Sequence, residues 1–235
     1  MKRFPTAIRD LNLSLYSPMA YIFMVVFSGL LLFLFYRGFF VVGEASMRFM
    51  FSLLPWFFII FVPAITMKSF AEEQKTGTLE VLLTYPASSG KIVFEKFLSS
   101  FLLLCISLAF TLIVPLTLFI IGSPDTGEII SGYIGALLLG GAYVSIGVFA
   151  SSLSRNQVIS FILGVIFSFV LFFLGRPIFT MGLSSSLASF LSYLSLGSHY
   201  DAMVRGLIDT RDVVYYISVI FIFLYATYYL LEKRR

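Results

Sequence analysis

Zinc-type metal centres and disulfide frameworks need clustered histidine and cysteine, and this chain of 235 residues has one of each, His199 and Cys105. Neither device is available within the chain. Cys105 falls inside an apolar run, where a cysteine acts as a small hydrophobe. Charge is also scarce. Only 12% of residues are Asp, Glu, Lys or Arg, against about 25% in soluble domains. The apolar side is correspondingly large, with 59% hydrophobic residues and a mean hydropathy of +0.99. No water-soluble globule of this size could hide so much apolar side chain, so the chain is an all-α integral membrane protein. The net charge of +4 is spread over span ends and short loops, which argues against a nucleic-acid partner. A secretory leader is not expected either. Residues 1–18 are polar and amphipathic, and the first apolar run lacks a small-residue cleavage site.

A helix crosses a bilayer with roughly 20 mostly apolar residues. Six segments qualify: Met19–Tyr36, Phe49–Met67, Phe97–Ile121, Ile130–Leu153, Gln157–Leu174 and Val213–Leu231. Drawn this way, none of the six contains Asp, Glu, Lys, Arg or His. Ion-coupled transporters and voltage sensors place charges at membrane depth. Intramembrane enzymes need a nucleophile with a base, or metal ligands. The chain shows none of these, so any vectorial work must draw its energy from outside the bilayer.

Orientation follows from the basic residues. With both termini inside, the cytoplasmic side holds Lys2, Arg3, Arg9, Lys68, Lys75, Lys91, Lys96, Arg155 and the terminal Lys233-Arg234-Arg235. Arg37, Arg48, Arg176, Arg205 and Arg211 fall outside. The chain reads as one transmembrane domain, 1–235. Residues 1–18 carry Phe4, Ile8, Leu11 and Leu15 on one helical face, which predicts an interfacial amphipathic helix. Residues 175–212 form an outer loop in which Leu183, Leu187, Phe190, Leu191 and Leu194 recur at helical spacing. A re-entrant helical pair fits that pattern, provided its backbone is covered by protein; a plain interfacial loop is the other reading. His199 is expected to snorkel or cap there. Asp201, Arg205, Asp209, Arg211 and Asp212 are expected to anchor the last span. Small residues at a spacing of four, Gly132, Ala136 and Gly140 in the fourth span and Ser160, Gly164 and Ser168 in the fifth, predict close helix packing. Packing within the chain is favoured over a subunit interface. Pro55 and Pro63 should kink or loosen the second span.

Residues 68–96 are the long charged, turn-rich exception. The second helix is expected to run on to Lys75, where Thr76-Gly77 breaks it. Thr78 can cap a short helix, Leu79–Thr84, that Pro86 closes. Leu79, Leu82 and Leu83 lie close together on it, with Glu80 on a neighbouring face. Ser88 or Ser89 can cap the helix that leads into the third span. A capped leucine face between two rising helices predicts a contact point for a cytosolic partner; the bland reading is a solvated loop. Ser89-Gly90-Lys91 imitates the end of a phosphate-binding loop, but that motif needs glycine where Tyr85 stands and Ser or Thr where Ile92 stands.

The stretch FAEEQKTGTLEVLLTYP, followed by SSGKIVFEKF, resembles the cytoplasmic loop of the type-2 ABC-exporter permeases. Phe70, Glu73, Gly77, Thr78, Leu79, Glu80, Leu82, Leu83 and Pro86 carry the match, and Glu95 departs from it where many relatives have a small residue. HYDAMVRGLIDTRDVVYYIS, before the last span, resembles the gliding-motility-type subgroup. The resemblance implies a coupling helix between spans two and three and re-entrant helices between spans five and six. It also implies a permease that pairs with a second copy or a related subunit and sits on two cytosolic ABC ATPases. ATP and Mg would bind those subunits, leaving this chain without a cofactor. Export across a bacterial or archaeal inner membrane is then the expected function. The alternative is a non-transporting scaffold through which the ATPase drives a membrane-anchored outer-domain protein.

Overall fold

The computed structural model describes residues 18–42, 46–79 and 88–233. The predicted interfacial helix at 1–18 therefore lies outside the described residues except for its last position. Glu80, Leu82, Leu83 and Pro86 lie outside them too. Every regular element among the described residues is helical. They are α1 (Pro18–Val42), α2 (Arg48–Thr66), α3 (Lys68–Thr76), α4 (Ser89–Ala109), α5 (Ile113–Ile121), α6 (Thr126–Leu153), α7 (Gln157–Phe173), α8 (Pro177–Thr180), α9 (Ser185–Leu194), α10 (Leu196–Val204) and α11 (Thr210–Glu232). The six predicted spans correspond to α1, α2, α4 with α5, α6, α7 and α11. Five of these units are long and apolar enough to cross a membrane, and α7 is shorter at 17 residues.

Local chemistry sets the boundaries. Asp125, Asn156 and Asp209 cap α6, α7 and α11, each accepting from a backbone N–H two residues on. These caps occupy N–H groups that a helix start leaves without intrahelical partners. Ser154-Arg155-Asn156 makes the tight turn between α6 and α7. Pro115 explains why the third crossing is not uniform. It cannot donate to the carbonyl four residues back, and the chain just before it narrows to a 3-10 turn at Phe110–Leu112.

Helix α6 is the centre of the bundle. Of its most apolar stretch, 78% is buried within the chain, against 17% for α11. Between helices in lipid, close contact replaces hydrophobic transfer as the cohesive force, and the small residues of α6 permit it. A Cβ at Gly132 would stand 2.1 Å from the Phe51 ring of α2, and one at Gly140 would stand 2.4 Å from Leu104 of α4. Ala136 is fully buried between them. In α7, Gly164 lies against Pro63, with a built Cβ at 2.9 Å, and Ser160 and Ser168 are buried on the same helix. Both small-residue series thus face other helices of this chain.

Pro55 and Pro63 lie inside α2 without ending it. Pro55 leaves the Phe51 carbonyl without its helical donor, and the Tyr200 hydroxyl of α10 donates to that carbonyl at 3.0 Å. Burial, and then the neighbouring Asp201, hold the Tyr200 phenol above its ordinary pKa. The predicted outer helical pair is present as α9 and α10. No residue of α9 is buried, whereas Leu196, Tyr200 and Met203 of α10 are fully enclosed.

Candidate functional site

The segment singled out from the sequence begins where α2 gives way to α3. Met67 interrupts the helix for one residue while its N–H still donates to Pro63 O at 2.9 Å. A new helix start exposes N–H groups, and α6 supplies the acceptor. The Ser151 hydroxyl accepts from Phe70 N at 2.9 Å and Ala71 N at 3.1 Å, and donates to Met67 O at 3.0 Å. One buried hydroxyl thus caps α3 from a different helix. Gln74 Nε2 adds a bond to Ser152 O at 3.0 Å. Phe70 and Ala71 are fully buried beneath this seam.

Gly77 ends α3 with φ of +74°, the left-handed C-terminal conformation that glycine adopts without steric cost. Thr76 and Thr78 hydroxyls meet at 2.9 Å just beyond. The N–H groups that Thr78 is expected to cap lie outside the described residues. Thr78 is already helical, and its hydroxyl turns back to donate to Glu73 O at 3.5 Å.

One ion pair and one hydrogen bond tie this segment to its neighbours. Glu73 Oε1 lies 2.6 Å from Lys96 Nζ of α4, with side-chain exposures of 19% and 12%. Enclosure of that degree separates this pair from a solvated surface bridge. Lys91 stands over Glu95 at 3.8 Å, one helical turn on. Ser88 caps α4, accepting from Lys91 N, while Ser89 is buried and donates to Glu232 Oε2 of α11 at 2.7 Å. The end of the bundle bearing α3 therefore joins α2, α3, α4, α6 and α11 through hydrogen bonds as well as packing.

The predicted coupling residues divide between inside and outside. Leu79 is 7% exposed and belongs to the core, so it is not part of a free leucine face. Glu73 likewise faces the bundle. Gly77 and Thr78 are exposed at the turn.

The opposite end holds groups that the span drawing stopped short of. Glu128 is buried at the start of α6. Its Oε2 pairs with Arg48 Nε at 2.9 Å, and its Oε1 accepts from Met47 N and Ser46 Oγ, both at 2.8 Å. Arg176 holds Asp201 through two bonds at 2.9 and 3.1 Å and stands over the Phe172 ring. His199 is buried rather than snorkelling. Its Nδ1 lies 2.6 Å from Asp212 Oδ1. Its Nε2 lies 2.9 Å from the Tyr193 carbonyl, which can only accept, so Nε2 carries a hydrogen. Tyr215 stacks on the ring at 3.9 Å. Nothing in the helical periodicity distinguishes these partners. The only sequence signal is an excess of acids and bases around the α10–α11 turn.

What these arrangements do chemically is hold helices together. Among the described residues, no group of three or more His, Cys, Asp or Glu side chains is placed to hold a metal ion. The α3 end is a mechanical junction, with a short helix clamped to the central helix and leading into the adjoining turn.

A family model for ABC-2 family transporter proteins matches residues 39–235. The chain belongs to the ABC-2 family. The matched stretch covers α2 through α11 and the whole candidate segment. No curated protein matches the chain. As an ABC-2 family member it is a multi-pass membrane protein with a permease role in an ABC transporter, and membership implies an ABC ATPase as partner.

Proposed function

We propose that the chain is the membrane subunit of an ATP-driven exporter, paired with a second permease subunit and coupled to two cytosolic ABC ATPases through residues 68–86. The observation that carries this reading is the junction at the α3 end. A partner pressing on the turn after Gly77 would meet a helix fastened to the central α6 by Ser151 and Gln74 and to α4 by Glu73–Lys96. Displacement there would reach the core of the bundle without passing through a flexible linker. ATP and Mg belong to the ATPase subunits. Both termini lie in the cytoplasm of a bacterial or archaeal cell, as the distribution of lysine and arginine supports. Glu80, Leu82 and Leu83 form the contact, with Gly77 and Pro86 bounding it.

Co-expression with an ABC ATPase encoded by a neighbouring gene tests the assignment. A stable complex should form, and inverted vesicles containing it should take up substrate only with hydrolysable ATP. A complex that hydrolyses ATP but moves an attached outer protein instead of a solute would replace the exporter with a scaffold.

A further inference from the structure

A groove of about 590 Å³ runs along α11 and is closed by Leu171 of α7 and by Tyr193 and Leu194 of α9. Thr210 and Arg211 line it at the start of α11, with Tyr193 as a further polar side chain, and Ile222 and Phe223 line it about three turns further along, with Leu171 as a further apolar one. The Tyr215 hydroxyl donates to Leu194 O at 2.5 Å, which fixes the end of α9 to α11. This is the layout of an amphiphile's site.

Charge selects the head group. At this end of the bundle the carboxylates of Glu128, Asp201 and Asp212 each face a basic side chain, and Asp209 caps α11. Arg211 is exposed on the groove and forms no ion pair among the described residues. An anion would complete it. Length selects the tail. From Arg211 to Phe223 a helix rises about 18 Å at ~1.5 Å per residue, close to the depth of one leaflet, roughly half of a ~30 Å hydrocarbon core.

We propose that this groove binds one acyl chain of an anionic glycerophospholipid, with the lipid phosphate on Arg211. The site is independent of ATPase coupling. It needs neither the partner nor the segment at 68–86, so its failure would leave the proposed function untouched.

The test is native mass spectrometry of the full-length protein taken from bilayers of equal phosphatidylglycerol and phosphatidylcholine. The wild type should retain one lipid per chain, enriched in phosphatidylglycerol. Arg211→Gln should cut that enrichment about fivefold, the equivalent of ~1 kcal/mol for one basic residue at an anionic surface. Arg205→Gln, at the same end but outside the groove, should leave it unchanged. Ile222→Trp, or Val214→Trp as a second filling variant at another exposed position, should remove the retained lipid. The proposal is overturned if the wild type retains no lipid, or if Arg211→Gln keeps the enrichment. It is also overturned if the filling variants change the oligomeric state while the lipid stays.

Discussion

Replacing Ser151 by alanine removes one hydroxyl and strands three backbone groups. Phe70 N–H and Ala71 N–H lose their acceptor, and Met67 C=O loses its donor. Phe70 and Ala71 are completely buried, so water cannot readily take over. An unsatisfied buried donor costs about 1–3 kcal/mol, and loss of an ordinary N-terminal cap costs about 0.5–2 kcal/mol. Because α3 can shift slightly to recover one bond, the expected loss is about 2–4 kcal/mol. For a domain of this length, that is a fall in melting temperature of roughly 4–16 °C. Amide exchange should accelerate in α3 more than in α6. The control is Ser145→Ala. Ser145 is equally buried but donates only to Ala142 O within its own helix, so its removal leaves no stranded N–H and should cost ~0.5 kcal/mol or less. If Ser151→Ala melts like Ser145→Ala and α3 keeps its protection, the cross-helix cap does not hold the junction together.

The same network of contacts sets three further outcomes. Glu73→Gln or Lys96→Met alone should destabilise by up to ~3 kcal/mol, since each leaves a largely enclosed charge; the double variant should recover part of that in a double-mutant cycle of thermal stability. Tyr200→Phe should cost about 1–2 kcal/mol by leaving the Phe51 carbonyl unpaired. That cost should shrink when Pro55→Ala restores the helical donor, a coupling of about 1 kcal/mol. Gly132→Ala should cost about 1–3 kcal/mol through collision with the Phe51 ring, whereas Gly29→Ala, whose Cβ meets nothing within 4 Å, should be neutral or stabilising in the same melting assay.

The crossing helices and the helical pair at 175–212 were legible because apolar run length and helical spacing are properties of single segments. Capping residues were legible for the same reason, since Ser88 acts within three residues of itself. The small-residue series predicted close approach but not its partners, which come from α2 and α4, far away in the chain. The pairs Arg48–Glu128 and His199–Asp212 were missed at the span ends. Hydropathy stops a span at the first charge, whereas a helix can carry an enclosed, paired charge beyond that point. Ser151 gave no signal at all: a serine in a membrane helix matters only through the backbone groups that another helix leaves unsatisfied.

The central claim is that residues 68–86 transmit the ATPase cycle, and ATPase coupling tests it most directly. Glu80→Arg and Leu83→Asp would be introduced separately and purified with the ABC ATPase in lipid bilayers. Both variants should insert and melt like the wild type while the ATPase dissociates or loses its permease-dependent stimulation. Full retention of the partner together with full stimulated hydrolysis in both variants would contradict the account.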